Sequence, residues 1–262
     1  MSSVGVFSNS LTVFATFRKG TELRFKCNRL IAILALVDSL TCAFRIKVCV
    51  QMSVFGWTWM TQRSCFWSEL PNVLFLNSGS FLIWSVALDR FLALKFPLRY
   101  EAWNSVKYLA CLVAPAVVFS VFLVVCAYLH STTEAIVPVW SYMLNVLVIL
   151  TNIFAYRTSK SISTESYPSS SGETLLMAKR TSQSIALVGM VYTCTWVPAL
   201  IIVGVARQMD LTESKRVDIS LYVGWLCSLN ISCNAFIYGC RSSRYRQAFR
   251  KVFRKNSVQP VA

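Results

Sequence analysis

Two opposite charges stand side by side where an apolar stretch ends, in "ALDRFLALKFPLRY" at 87–100. Asp89 and Arg90 can pair with each other, and Pro97 can end the helix that carries them and turn the loop beyond it. The chemistry open to such a pair is electrostatic. A second set lies deeper. Asp38 sits midway along another apolar stretch, and Asn230 and Asn234 lie four residues apart in a third, hence on one helical face. One carboxylate and two amides can hold a sodium ion or a water chain, or tie helices together by hydrogen bonds. Arg45 falls two helical turns beyond Asp38 on the same face. It either meets an anionic ligand group or snorkels to the membrane surface, as Lys47 is expected to do. Bond-making catalysis is not indicated. The only histidine, His130, is in a loop without a cysteine, and no nucleophile–base set is visible.

These groups must be positioned by elements of unusual composition. Only 14% of the 262 residues are charged and 55% are apolar, whereas a soluble domain carries roughly 25% charged residues. Six apolar stretches reach the roughly 20 residues a bilayer span requires: 30–50, 66–88, 106–129, 136–156, 182–206 and 217–239. A seventh, 1–17, is shorter and Ser-rich, and lacks the basic start and cleavage site of a signal peptide. It is expected to be the inner end of a first membrane helix whose outer half is absent. The net charge of +15 is not spread as nucleic-acid binding would need. Alternate segments between the spans carry 20 Lys and Arg on one side and 4 on the other. That is the positive-inside pattern, and it predicts seven helices with the N-terminus outside and the C-terminus cytoplasmic. The expected fold is therefore all-α: a seven-transmembrane helix bundle over 1–239, with a truncated first helix, followed by a cytoplasmic helix and tail over 240–262.

Finer features fit this frame. Tyr245, Ala248, Phe249, Val252 and Phe253 share one helical face, and arginines and lysines fill much of the rest. This predicts an amphipathic helix in the inner leaflet's interface, attracted by anionic lipid. The Ser-rich stretch within 157–181 predicts a mobile cytoplasmic loop. Pro198, two residues after Trp196, removes a backbone hydrogen bond from the sixth helix and predicts a kink there. The sequon at Asn230 lies within a span, out of reach of glycosylation.

Together these residues resemble the rhodopsin-like G-protein-coupled receptors, over nearly the whole chain. "LALVD" at 34–38 looks like the second-helix motif that ends in the sodium-site aspartate. "DRF" with Pro97–Leu98 is similar to the third-helix Asp-Arg-Tyr motif, with Phe91 replacing tyrosine. "TWVP" at 195–198 resembles Cys-Trp-x-Pro of the sixth helix, and "NAFIY" at 234–238 resembles Asn-Pro-x-x-Tyr, with Ala235 for proline. Asn9 looks like the first-helix asparagine, and Tyr245 holds the aromatic position that opens the eighth, interfacial helix. The style of "DRFLALKFPLRY" resembles the nematode Srsx class of serpentine chemoreceptors.

The resemblance implies a receptor on the plasma membrane with a heterotrimeric G-protein as its cytoplasmic partner. It implies a small-molecule or peptide ligand between the outer halves of the helices, around Arg45, Asn72, Leu76, Trp196 and Ala199. Asn72 replaces the aspartate of amine receptors, which argues against an amine. Trp196 and Pro198 would form a pivot, the sixth helix would swing outward, Arg90 would leave Asp89, and Tyr238 would move in beside it. Sodium at Asp38, Asn230 and Asn234 is the only cofactor implied. The family's outer disulfide would use Cys65, with Cys126 as the nearest partner by sidedness and Cys49 second. Ala178, Lys179 and Arg180 stand where many members place an acid that holds the third-helix arginine, so that lock is expected to be absent. Competing readings are a truncated, non-signalling receptor-like protein and a membrane transporter. No internal repeat supports the transporter.

Overall fold

A computed structural model describes residues 1–18, 26–55, 62–129, 172–209 and 211–253, and single positions at 146, 150, 153 and 157. Most of the expected fifth span, the loop at 130–135 with His130, and the end of the tail lie outside the described residues. So do the side chains of Cys65, Cys126, Pro97, Ala178, Lys179 and Arg180, which leaves the disulfide and the missing acidic lock as expectations.

The described residues form helices and no strand. They are α1 (Ser2–Phe17), α2 (Lys26–Phe55), α3 (Gln62–Lys95), α4 (Pro97–Ala102), α5 (Ser105–Leu129), α6 (Gly172–Gln208), α7 (Glu213–Arg241) and α8 (Ser243–Phe253). The fold is an all-α helical bundle. Neighbouring helices close a ring: α1 packs on α2 and α7, α2 on α3, α3 on α6, and α6 on α7. α5 lies against α3, and α8 fills the angle between α1 and α7. The ring surrounds Leu30, Ile31 and Leu34 of α2, Leu82, Ile83 and Val86 of α3, Tyr192 of α6 and Tyr238 of α7.

Length and apolar surface fit a bilayer. At 34 residues α3 is about 51 Å long, more than the roughly 30 Å hydrocarbon core. Among the described residues three helices are long and apolar enough to cross a membrane, over Phe66–Ala93, Ser105–Val125 and Leu187–Ala206. α2 carries Asp38, Arg45 and Lys47, and α7 carries Asp218, Asn230 and Asn234. On α5 the residues Val117, Val118, Val121, Phe122 and Val125 are all exposed. An apolar face of that kind suits lipid rather than water.

The structure refines the sequence expectations on α6 and α8. α6 begins at Gly172, so the last ten residues of the expected 157–181 loop are helical; the run "LLMAKR" is rich in good helix formers. α6 also runs on through Pro198, as α3 and α5 run through Pro71 and Pro115, because neighbouring groups in a membrane bundle can satisfy the freed carbonyl. On α8 the apolar face is divided. Tyr245 and Ala248 are buried against the bundle, Phe249 and Val252 pack at its edge, and Phe253 is exposed.

α1 is held by close approach rather than bulk. A Cβ at Gly5 would lie 2.5 Å from Cys42 Sγ and 2.7 Å from Ser232 Oγ, so only glycine lets α1 sit this close to α2 and α7. Asn9, fully buried, donates from Nδ2 to the Ile231 carbonyl at 3.1 Å.

Candidate functional site

The α3–α4 junction is built by proline chemistry. The residue before a proline is disfavoured in the helical region, and Phe96 takes φ −132°, ψ 58°, which breaks the chain from α3. Pro97 then opens α4 at its first position, where a missing N–H costs nothing. One and a half turns of helix carry Tyr100 back under the end of α3. The last carbonyls of so short a helix lack partners within it, and Lys26 of α2 supplies them. Its Nζ donates to the Tyr100 and Trp103 carbonyls, both at 2.6 Å, and stands over the Tyr100 ring.

At this junction Asp89 is wholly buried and Arg90 nearly so. Neighbours one apart on a helix do not face each other, yet the long guanidinium folds back. Arg90 Nε donates to Asp89 Oδ2 at 2.8 Å, and Nη2 donates to the same oxygen. Asp89 Oδ1 accepts from two phenols, Tyr100 and Tyr108, each at 2.9 Å. Arg90 Nη2 also donates to the Tyr100 hydroxyl at 3.0 Å, which links both charges through one ring. Burial pushes the Tyr100 phenol above its usual range, and it pushes the Cys27 thiol beside Asp89 upward as well. The Tyr100 phenol therefore stays protonated and faces the carboxylate as a donor. Phe91 is half-buried and takes no part in these bonds.

The mid-bundle set is sparser. Asn234 Nδ2 donates to Asp38 Oδ2 at 2.9 Å, across α7 and α2. Asn230 is buried on the same face of α7, and the Oδ1 atoms of Asn230 and Asn234 have no hydrogen-bond partner. Gly79 of α3 abuts the site, where a Cβ would stand 3.4 Å from Asp38 Oδ1. The Asn234 amide oxygen beside the Asp38 carboxylate, with the Asn230 amide one turn away on α7, is of the oxygen-donor type that a hard cation such as sodium takes. Tyr238 is buried with its hydroxyl unpartnered, and its ring stacks on Tyr245 at 5.7 Å between centroids.

The expected ligand residues spread over α2, α3 and α6. Arg45 does not snorkel; it turns inward to α7 and bonds to Gly224 and Ser228. Lys47 reaches Ser68 Oγ of α3 at 3.2 Å. Asn72 Nδ2 donates to Glu69 at 3.1 Å, and Leu76 lies one turn further along α3, half-buried. Trp196 stacks on Tyr192 at 5.7 Å, and Ala199 is buried one turn on. Sequence reasoning missed Tyr100, Tyr108 and Lys26 as partners of the Asp89–Arg90 pair. Their one signal was position, since aromatic and basic residues beside a span ordinarily read as interface anchors.

The described helices thus form an all-α ring with a buried acid–base pair where α3 ends. The sequence model of the serpentine 7TM GPCR chemoreceptor Srsx family matches residues 2–253, and the chain belongs to that family. It is accordingly a membrane protein of receptor class. No curated protein matches the chain.

Proposed function

We infer that this receptor passes an extracellular chemical signal to a heterotrimeric G-protein at the α4 end of the bundle. The single observation that carries this reading is the Asp89–Arg90 pair, buried and fully engaged by Tyr100 and Tyr108. A ligand shifts an equilibrium only by binding one state better than the other, so there must be a contact that one state makes and the other breaks. Arg90 bonded to its own neighbour is such a contact. Its release presents a cation at a surface that the Lys and Arg distribution assigns to the cytoplasm. Tyr238 supports the same reading. A buried hydroxyl without a partner calls for an explanation, and a partner gained in the second state supplies one. Trp196 and Pro198 are the pivot for the outward swing of α6. The plasma membrane, with the N-terminus outside, is the setting. Asp38, Asn230 and Asn234 would hold a sodium ion, which supplies positive charge against the Asp38 carboxylate.

The test is guanine-nucleotide exchange on a panel of purified heterotrimers by the full chain in lipid nanodiscs. The parent chain is expected to accelerate exchange on at least one heterotrimer, and Arg90→Ala to remove that acceleration at equal folded receptor. No acceleration by the parent, or an unchanged rate with Arg90→Ala, would sink the reading.

A further inference from the structure

The end of the bundle away from α4 holds a second inward arginine, and its surroundings are unlike those of Arg90. Arg45 is half-buried on α2. Its Nη1 donates to the Gly224 carbonyl, and to Ser228 Oγ at 2.7 Å, both on α7. Ser228 Oγ itself donates to the Gly224 carbonyl at 2.8 Å, and the Cys227 side chain of the same helix also meets the guanidinium, so the groups around it on α7 are uncharged. Gly224 faces the guanidinium, and a Cβ there would stand 3.5 Å from Nη1, an ordinary contact. Arg45 Nε is buried and has no partner. Among the described residues the ion pair present is Asp89–Arg90. On α2 and α3, Asp38 is bonded by Asn234 and Glu69 by Asn72.

A cation inside a membrane bundle is costly and normally marks a pathway or a binding site. A clamp between α2 and α7 would need no more than Nη1. The edge formed by Nε and Nη2 is the edge on which a guanidinium grips a carboxylate through two parallel hydrogen bonds. Fixing Nη1 to α7 sets the direction of that edge. On α3 the Asn72 Oδ1 is likewise buried without a partner, and an amide oxygen can accept only from an N–H or O–H.

We propose that Arg45 is the anion-binding group of the ligand site and that the ligand class is a small organic carboxylate, held on the Nε–Nη2 edge. This rests on the receptor reading for its use in signalling, while binding itself can be measured without a G-protein. The experiment is thermal unfolding of the full chain in nanodiscs, followed by tryptophan fluorescence. The probes are hexanoate, octanoate, benzoate, phenylacetate, 4-hydroxyphenylacetate and indole-3-acetate, each compared with its methyl ester. At least one acid should raise the midpoint by several degrees where its ester does not. Arg45→Met should abolish that acid-specific rise, and Arg45→Lys should keep it with roughly tenfold weaker apparent affinity, since the paired hydrogen bonds are lost while the charge remains. Without probes, the Arg45→Met midpoint should be no lower than that of the parent, because an unpaired buried charge has been removed. A marked fall would make Arg45 a structural clamp and overturn the proposal. So would equal responses to every acid and its ester, or an acid-specific rise that survives in Arg45→Met. A receptor that binds an acid at Arg45 but drives no nucleotide exchange would overturn only the signalling reading.

Discussion

Asp89 and Asp38 are both buried carboxylates in the same bundle, yet they are furnished in opposite ways. Asp89 faces two donors on Arg90 and two phenols, and every one of its lone pairs has a use. Asp38 holds a single bond from Asn234, and the amide oxygens near it are without partners. Arg90 and Arg45 repeat the contrast, one locked to a carboxylate and the other held by neutral acceptors with Nε left over. A fully satisfied polar cluster rigidifies one packing of the helices, and a half-satisfied one is costly. The α4 end is thus arranged to hold one state. The middle and far end carry buried polar atoms that have no partner in this packing. A receptor needs both kinds of site, joined by elements with two arrangements.

The contrast is tested most severely by removing each acid in turn. Asp89→Ala strands Arg90 as a buried charge, which costs about 3–5 kcal/mol. Asp38→Ala strands one amide N–H, which costs about 1–3 kcal/mol. Thermal inactivation of the two variants in nanodiscs should therefore rank Asp89→Ala well below Asp38→Ala. Basal nucleotide exchange per folded receptor should rise with Asp89→Ala, which frees Arg90. Equal midpoints, or Asp38→Ala as the weaker protein, would contradict the assignment of the satisfied cluster as the lock.

The two clusters were not equally legible in the sequence. Asp89 and Arg90 are adjacent, so their pairing can be read from a single stretch. Asp38 and Asn234 lie 196 residues apart, yet their meeting was legible because each is polar within an apolar span and must turn inward. Tyr108 could not be found that way. A tyrosine at the edge of a span has an ordinary place at the membrane interface, and only the turn of chain through Phe96 and Pro97 shows that its hydroxyl reaches Asp89. Lys26 was hidden for a similar reason: a basic residue before a span counts toward sidedness, while its bonds to the α4 carbonyls depend on where a six-residue helix falls. Arg45 was left between two directions, and the choice was made by a glycine and a serine on α7 that carry no signal of their own.

A finer cut separates the two phenols. Tyr100 both donates to Asp89 and accepts from Arg90, whereas Tyr108 only donates to Asp89. Each Tyr→Phe change removes hydroxyl bonds worth about 0.5–1.5 kcal/mol each, with those to charged groups nearer 1.5–3. Tyr100→Phe should lower the unfolding midpoint and raise basal exchange more than Tyr108→Phe does. The double variant should fall short of the sum, since both hydroxyls serve the same Asp89 oxygen. An additive double variant would mean that the phenols act separately and not as one lock.

The smallest expected effect runs in the opposite direction and adds what the mid-bundle set lacks. Gly79 faces Asp38, and a Cβ placed there would sit 3.4 Å from Oδ1, an ordinary contact that displaces nothing. Gly79→Ser puts a hydroxyl within reach of that oxygen and replaces a helix-interior glycine, which itself costs roughly 0.5–1 kcal/mol relative to alanine. The variant should unfold at a higher temperature than the parent, by about 1 kcal/mol of added stability. Gly79→Ala isolates the backbone share of that gain. If serine gives more than alanine, the unmet bonding capacity around Asp38 is real, and the contrast with Asp89 stands on energy as well as geometry. If alanine and serine are equal, Asp38 Oδ1 is already engaged by something that the protein carries in the membrane. Basal exchange separates the two cases further: a Gly79→Ser gain confined to the state with Arg90 locked should lower it, and a gain shared by both states should leave it unmoved.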